Sequence, residues 1–371
     1  MTRELESMPQ KISMPRRNPI NGTFELTGRC NLNCKMCYVH VDDKRIKELG
    51  YHERSAKDWI NIAKQAFDAG TFKLLITGGE PMLRSDFCEI YEAIAKMGFY
   101  ITLYTNATLV TPKIMDTLKK YPPHIIGITI YGVTAETYEK VCGSGKAYYK
   151  MMDGLKELMT LPSHIELRTT IIKENLDESE QIEKFIKSFG NKVTFNINHV
   201  VFKSGRNSIA NISDHRLSPE QSALFYCNRF IKLVEDYKDD SKKLNELRNT
   251  QKDENKNDST AGKKAAYRGL YGCGAGYNDF TISWDGRLLP CSLFDANYTN
   301  PFEEGFQQAW QRLEEVMPNI KIPSKCQKCS VEQFCGVCIA SRYCETGKTD
   351  GIPQYFCHQA EAYDKILKQK R

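Results

Sequence analysis

No apolar run in this chain approaches the ~18 residues needed to cross a bilayer, so no membrane span is expected. Met1 to Ile20 is polar and proline-containing, without the apolar centre or cleavage pattern of a secretory signal, which points to a cytoplasmic protein. Charge of one sign is also in short supply. A formal net charge of +6 over 371 residues, with no basic stripe, argues against a nucleic-acid partner. No internal repeat is present. Hydrophobic residues make up 41% of the chain, enough for a sizeable core, and the length suggests two or three domains.

Cysteine, by contrast, is abundant, with fourteen in the chain. In a reducing compartment cysteines serve as metal ligands or catalytic groups more often than as disulfides.

From about residue 20 short apolar runs alternate with amphipathic stretches. Strands are predicted at Thr23–Leu26, Phe72–Thr77, Tyr100–Thr105, Ile125–Tyr131, His164–Ile172 and Val193–His199. Helical periodicity covers Ala56–Ala69, Phe87–Met97, Thr111–Lys119, Tyr148–Leu158 and Glu178–Ser188. This is an α/β pattern with a parallel sheet, and six units suit a partial (β/α)6 barrel of the TIM type. Periodicity alone leaves a doubly wound sheet open. Pro219–Tyr237 reads as a helix, and Lys238 to Lys264, dense in Lys, Asp, Glu and Asn, reads as a solvated helix or linker. After Tyr267 the chain turns Cys- and Gly-rich, as in a small metal-stapled domain. The expected division is therefore an N-terminal extension (1–19), a barrel (20–210), a charged helical bridge (211–266) and a Cys-rich domain (267–371).

Cys30, Cys34 and Cys37 form a C-x3-C-x2-C triad just after the first strand. One loop can aim three thiolates at three irons of a cubane and leave the fourth iron open. Zinc more often takes four protein ligands in paired knuckles. The triad, with Met36 before its last cysteine and Tyr38 after it, resembles the signature loop of the radical S-adenosylmethionine (SAM) superfamily. The resemblance implies a 4Fe-4S cluster whose open iron chelates SAM. Reductive cleavage would then give methionine and a 5′-deoxyadenosyl radical that abstracts hydrogen from a substrate. Met36 and Tyr38 would pack near the adenine. Gly78-Gly79-Glu80-Pro81 follows the second strand, where its glycines permit close backbone approach and Glu80 offers an acceptor. It matches the family segment that binds the SAM amino group. By the same analogy Asn106, Thr129 and Thr170, at strand ends, would hold the ribose or the methionine carboxylate, and His199 is a further candidate.

The second constellation is Cys273 and Cys291, then Cys326, Cys329, Cys335 and Cys338, and finally Cys357. Spacing alone would also allow a four-cysteine zinc ribbon at Cys326–Cys338. Between the first two, Asp285-Gly286 marks the turn of a β-hairpin. The order resembles the SPASM extension of radical SAM enzymes that modify peptides and proteins. That resemblance implies two auxiliary Fe-S clusters, an inner one on Cys273, Cys291 and Cys338 and an outer one on Cys326, Cys329, Cys335 and Cys357. Cys335 and Cys338 are separated by two residues where the family usually has three, and no cysteine stands in Tyr267–Gly272. The inner cluster would then keep an open iron, or Cys344 would complete it; Cys344 could also replace Cys357. Cys88 reads as a core residue, while Cys142 and Cys227 are left without a role.

The expected activity is a peptide- or protein-modifying maturase of the kind that acts on ribosomally made peptides, forming thioether or C–C crosslinks or carrying out oxidation or epimerisation. A reduced flavodoxin or ferredoxin would supply electrons. Only about 20 residues precede the barrel, so a leader peptide would dock on the barrel, the SPASM region or another protein. In sulfatase-maturing relatives an Asp follows the second SPASM cysteine as a base; Ser292 stands there in this chain, which counts against that reaction. The alternatives are a small-molecule or enzyme-subunit substrate and, more remotely, a non-catalytic Fe-S or zinc module. No catalytic side chain is identified.

Overall fold

The computed structural model describes residues 17–203, 206–236, 273–318 and 321–369. Most of the N-terminal extension, the charged stretch Lys238 to Lys264 and the segment Tyr267–Gly272 lie outside the described residues.

The strands are β1 (Asn21–Glu25), β2 (Lys73–Thr77), β3 (Tyr100–Thr105), β4 (Ile125–Thr129), β5 (His164–Thr170) and β6 (Val193–Asn198), with β7 (Asp279–Ile282) and β8 (Leu288–Leu289) following far downstream. Between them run α1 (Asp43–Glu48), α2 (Ala56–Asp68), α3 (Phe87–Ala95), α4 (Pro112–Lys120), α5 (Ala135–Cys142), α6 (Lys146–Leu158) and α7 (Ser179–Lys187). Then come α8 (Ile212–His215), α9 (Pro219–Asp236), α10 (Pro301–Glu304), α11 (Phe306–Val316), α12 (Ser324–Gln327), α13 (Ile339–Thr346) and α14 (Gln354–Gln369). The sheet order is β6-β5-β4-β3-β2-β1-β7-β8. Strands one to six lie in chain order and pair parallel. A doubly wound sheet would reverse its order at a switch point; this one does not, and the six strands form a partial TIM-type barrel.

Local chemistry explains the elements. A capping box between Ser55 and Asp58 starts α2, and Thr111 caps α4 ahead of Pro112. Trp59 on α2 is fully buried, with ring contacts of 5.4 Å to Phe24 on β1 and 5.6 Å to Phe302 on α10. One indole thus joins the barrel to the C-terminal region. The Asp285-Gly286 turn does make a hairpin, with β7 antiparallel to β8. The same hairpin also adds to the barrel sheet, because β7 runs parallel to β1 from Asn21↔Asp279 to Phe24↔Ile282. Between the six barrel strands, two helices, α1 and α5, were not expected from the sequence; nor were α8 and α10 to α14 beyond them. Both α1 and α5 are short. Thr134 caps α5 at one end and Gly143 ends it, a start-and-stop pair readable only without a long periodic run between.

Candidate functional site

The cysteine triad leaves β1 at its C-terminal end and is held from two sides. On one side, the amide of Gly79 donates to the Thr27 carbonyl (2.8 Å) and that of Glu80 to the Arg29 carbonyl (2.9 Å). A Cβ on Gly79 would lie 2.2 Å from the Arg29 oxygen, and one on Gly78 would lie 2.4 Å from the Thr27 oxygen. Gly78 also has φ +138°. The close approach these glycines allow is to the cysteine loop itself. On the other side, the Asn33 amide donates to the Cys142 carbonyl and the Lys35 amide to that of Val141, both at 3.0 Å. The free carbonyls at the C-terminus of α5 thereby find donors in the loop.

The thiols meet the donors expected of cluster ligands. The Leu32 amide points at the Cys30 sulfur (3.4 Å), as does Asn106 Nδ2 at 3.7 Å. Cys34 is buried, and shares a hydrogen bond with the Cys142 thiol and another with the Tyr131 hydroxyl. The bond to Cys142, then burial, holds Cys34 well above the usual thiol range, and the same bond pulls Cys142 down. Burial, then the Glu80 charge, pushes Cys30 up, and burial raises Cys37 against amides of Val39 and His40. Metal binding would displace these protons. Three thiols on one pinned loop, Cys34 buried and Cys30 and Cys37 partly buried, with N–H donors around them, fit a cluster that takes each thiolate on a different iron.

Glu80 is wholly buried, and its carboxylate is engaged inside the protein. It accepts from Thr105 Oγ1 (2.9 Å), the Asn106 amide (2.8 Å) and the Met82 amide (3.1 Å). Burial outweighs these donors and pushes it up to about 7. Asn106 is locked beside Cys30, with Nδ2 also on Asn31 Oδ1 (3.0 Å) and its own Oδ1 accepting from Thr108. The next residue, Ala107, has φ +58°, a strained turn at the end of β3. Thr129 and Thr170 end β4 and β5 with their side chains partly exposed. Met36 packs against the main core. Tyr38 packs on the same core and also reaches the C-terminal region, hydrogen-bonded to Ser292 and 5.6 Å from the Arg206 guanidinium.

His199 is not among these groups. It bonds to the Tyr363 hydroxyl (3.1 Å) and packs on Phe225 and Tyr226, tying β6 to α9 and α14. Burial, with Arg229 nearby, lowers it to about 4. The folded state therefore resists protonation that the unfolded chain accepts, and stability falls as pH drops below about 6.5. Urea midpoints at pH 7.5 and 5.5 should show His199→Phe losing about 1 kcal/mol less on acidification than the parent chain. Equal losses would refute the assignment.

The downstream cysteines fall into two neighbourhoods. Cys291 interacts electrostatically with Cys338 and Cys273, and Cys344 with Cys291 and Cys338. Cys357 interacts with Cys326 and Cys329, and Cys335 with Cys357 and Cys326. Burial, then Cys338 and Cys273, pushes Cys291 up to about 11. The Cys344 thiol donates to the Leu293 carbonyl at 3.2 Å. Among the described residues no group of His, Cys, Asp or Glu converges tightly enough for one metal ion; a four-iron cluster needs a wider ring, one thiolate per iron. Cys88 is partly buried, 3.9 Å from the Lys113 carbonyl.

Sequence reading missed four contributors. Cys142 and Tyr131 touch Cys34, and Arg206 pairs with the buried Glu25 of β1. Only Glu25, a charge between the apolar Phe24 and Leu26 at the end of β1, carried a readable signal, one of burial and not of its partner.

Residues 24–186 match the radical SAM superfamily. The chain is 26% identical over 336 residues to an AdoMet-dependent heme synthase of Methanosarcina barkeri (strain Fusaro), covering 87% of this chain and 92% of that one. It is 25% identical to the antilisterial bacteriocin subtilosin biosynthesis protein AlbA of Bacillus subtilis (strain 168), covering 86% and 67%. Among solved structures, native anSMEcpe with bound AdoMet superposes with a TM-score of 0.68 at 16% identity, covering 95% of this chain and 98% of that one. Among the described residues no helix is long and apolar enough to cross a membrane. The chain thus carries a radical SAM domain over residues 24–186 and is an enzyme of that kind, and its cysteine-rich C-terminal region fits the SPASM type.

Proposed function

We propose that this enzyme modifies a peptide or protein, with SAM and a 4Fe-4S cluster on Cys30, Cys34 and Cys37 and two auxiliary clusters in the C-terminal region. The cluster, when bound, supplies the electron that cleaves SAM. The chain's own residues hold that chemistry in place. The Gly78–Glu80 turn and the end of α5 fix the loop, Asn106 orients Cys30, and Gly78, Gly79, Glu80, Thr129 and Thr170 stand at strand ends where SAM would lie. Cys273, Cys291 and Cys338, with Cys344 beside them, would hold the inner auxiliary cluster, and Cys326, Cys329, Cys335 and Cys357 the outer one. A flavodoxin or ferredoxin would donate electrons, in the cytoplasm, and the domain limits of the sequence reading are retained.

The observation that carries the peptide reading is the pair of cysteine neighbourhoods, the first of them reaching the signature loop through Ser292 and Tyr38. The relative AlbA, a bacteriocin biosynthesis protein, points the same way. A tetrapyrrole or other small-molecule substrate is the second reading, favoured by the heme synthase relative. Anaerobic reconstitution should yield about twelve irons per chain, as three four-iron clusters require. Dithionite and SAM should then yield 5′-deoxyadenosine, with faster turnover on a cysteine-, threonine- or aromatic-rich peptide encoded beside the gene. About four irons would remove the auxiliary clusters, and acceleration only by a porphyrinogen would favour the second reading.

A further inference from the structure

Between the barrel and the C-terminal region lies a cavity of about 410 Å³. That is near the lower end of small-ligand pockets, room for a side chain or a few residues. Arg206, from the segment after β6, forms part of its wall. Its side chain is only 3% exposed. Nη2 donates to Glu25, while Nε and Nη1 meet no acceptor among the described residues. A buried guanidinium with two nitrogens unpaired is rare, because its donors have given up water without replacement.

Glu25 itself engages Arg206 through one oxygen only, and its Oε2 is likewise buried without a hydrogen-bond partner among the described residues, so the pair holds one unmet acceptor against two unmet donors. The other acids nearby are already paired. Of the acids on the cavity wall, Glu345 pairs with Arg216 at 2.7 Å and Asp295 lies 3.6 Å from Arg287. Asp285, also within electrostatic reach of Arg206, pairs with Arg287 at 2.7 Å. Lys203 adds a second positive charge to the wall, and Asn207 and Ser292 add neutral polar groups. We infer that the cavity binds a carboxylate of the substrate, with Arg206 as its anchor. The inference rests on the proposed function only in calling that ligand a substrate. With one Nη2 hydrogen on Glu25, the other can join Nε or Nη1 in meeting a carboxylate by two parallel hydrogen bonds, which a lysine cannot reproduce. An acidic peptide side chain and a tetrapyrrole propionate both offer this group.

The test is calorimetric titration of the full-length, anaerobically reconstituted protein, without SAM and with SAM saturating. The probes are N-acetylglutamate methylamide and its glutamine counterpart. The acid should bind at least about tenfold more tightly than the amide, the scale of a charge-assisted hydrogen bond. Arg206→Lys keeps a cation opposite Glu25 and should erase that preference while leaving amide binding unchanged. Should that variant fail to fold, Lys203→Gln on the rim should weaken the acid severalfold and spare the amide. Equal affinity for the two probes, no acid binding, or acid binding that SAM abolishes would overturn the inference, the last by giving the cavity to SAM's own carboxylate. Repeating the titration with Ac-Ala-Glu-Ala-NH2 and with coproporphyrin III tells the two sources apart by which binds with Arg206 dependence. Acid-selective binding in a protein that forms no 5′-deoxyadenosine would leave this site standing and count against the proposed activity.

Discussion

Cys34→Ala protein, reconstituted anaerobically, will carry about four irons fewer per chain than the parent and form no 5′-deoxyadenosine above background. The loss should be selective, because what holds the loop is backbone. The amides of Asn33 and Lys35 still reach the end of α5, and those of Gly79 and Glu80 still reach Thr27 and Arg29. Replacing a small buried thiol by a methyl group should cost only about 1 kcal/mol of stability. Iron and sulfide analysis, SAM turnover and a thermal melt therefore separate ligand loss from unfolding. Iron content equal to the parent would show that the triad does not hold a cluster. Cys88→Ser provides the contrast, since its sulfur sits over α4, and it should retain both iron and turnover.

Gly79→Ala should be nearly as damaging by another route. The added methyl would meet three backbone atoms of the cysteine loop, the Arg29 oxygen at 2.2 Å, the Arg29 carbonyl carbon at 2.6 Å and the Gly28 oxygen at 2.9 Å. None of these is the end of a flexible side chain that could swing away. Either β2 retreats and breaks the Gly79 and Glu80 hydrogen bonds, or the loop shifts and misplaces Cys30. Overpacking of this kind costs about 1–3 kcal/mol, and loss of two buried hydrogen bonds adds about 1 kcal/mol each. The variant should melt several degrees lower and bind iron substoichiometrically even at temperatures where it is folded. A variant with parental melting and full iron would show that the turn has slack the geometry does not reveal.

The barrel was legible because its strands are apolar runs bounded by turns, so Tyr100–Thr105 could be delimited to the residue. The cysteine triad was legible because three cysteines sit within eight residues of one loop. What surrounds the triad was not. Cys142 meets Cys34 only because α5 turns its C-terminus toward the loop, across 142 − 34 = 108 positions of sequence. Arg206 and Glu25 meet across 181 positions, with no pattern at either end to suggest a partner. The roles read into single residues from a motif also needed geometry. Glu80 looked like a free acceptor, and the fold shows three donors already on it. The β-hairpin was readable from Asp285-Gly286, but its docking against β1 was not, because strand pairing over such a distance leaves no local trace.

That docking has a consequence for how the molecule is made. Asn21 and Asp279, which pair across β1 and β7, are 258 residues apart. At a synthesis rate of roughly 5–20 residues per second, the outer edge of β1 waits on the order of ten to fifty seconds for its neighbour. During that interval the emerging barrel presents one unpaired edge of β1, the strand that carries the fully buried Phe24, as a template for wrong partners. A chain cut before Cys273 would keep that edge bare indefinitely. Such a fragment should aggregate rather than behave as a free-standing barrel, so the first and last parts of the chain belong to one cooperative act of folding.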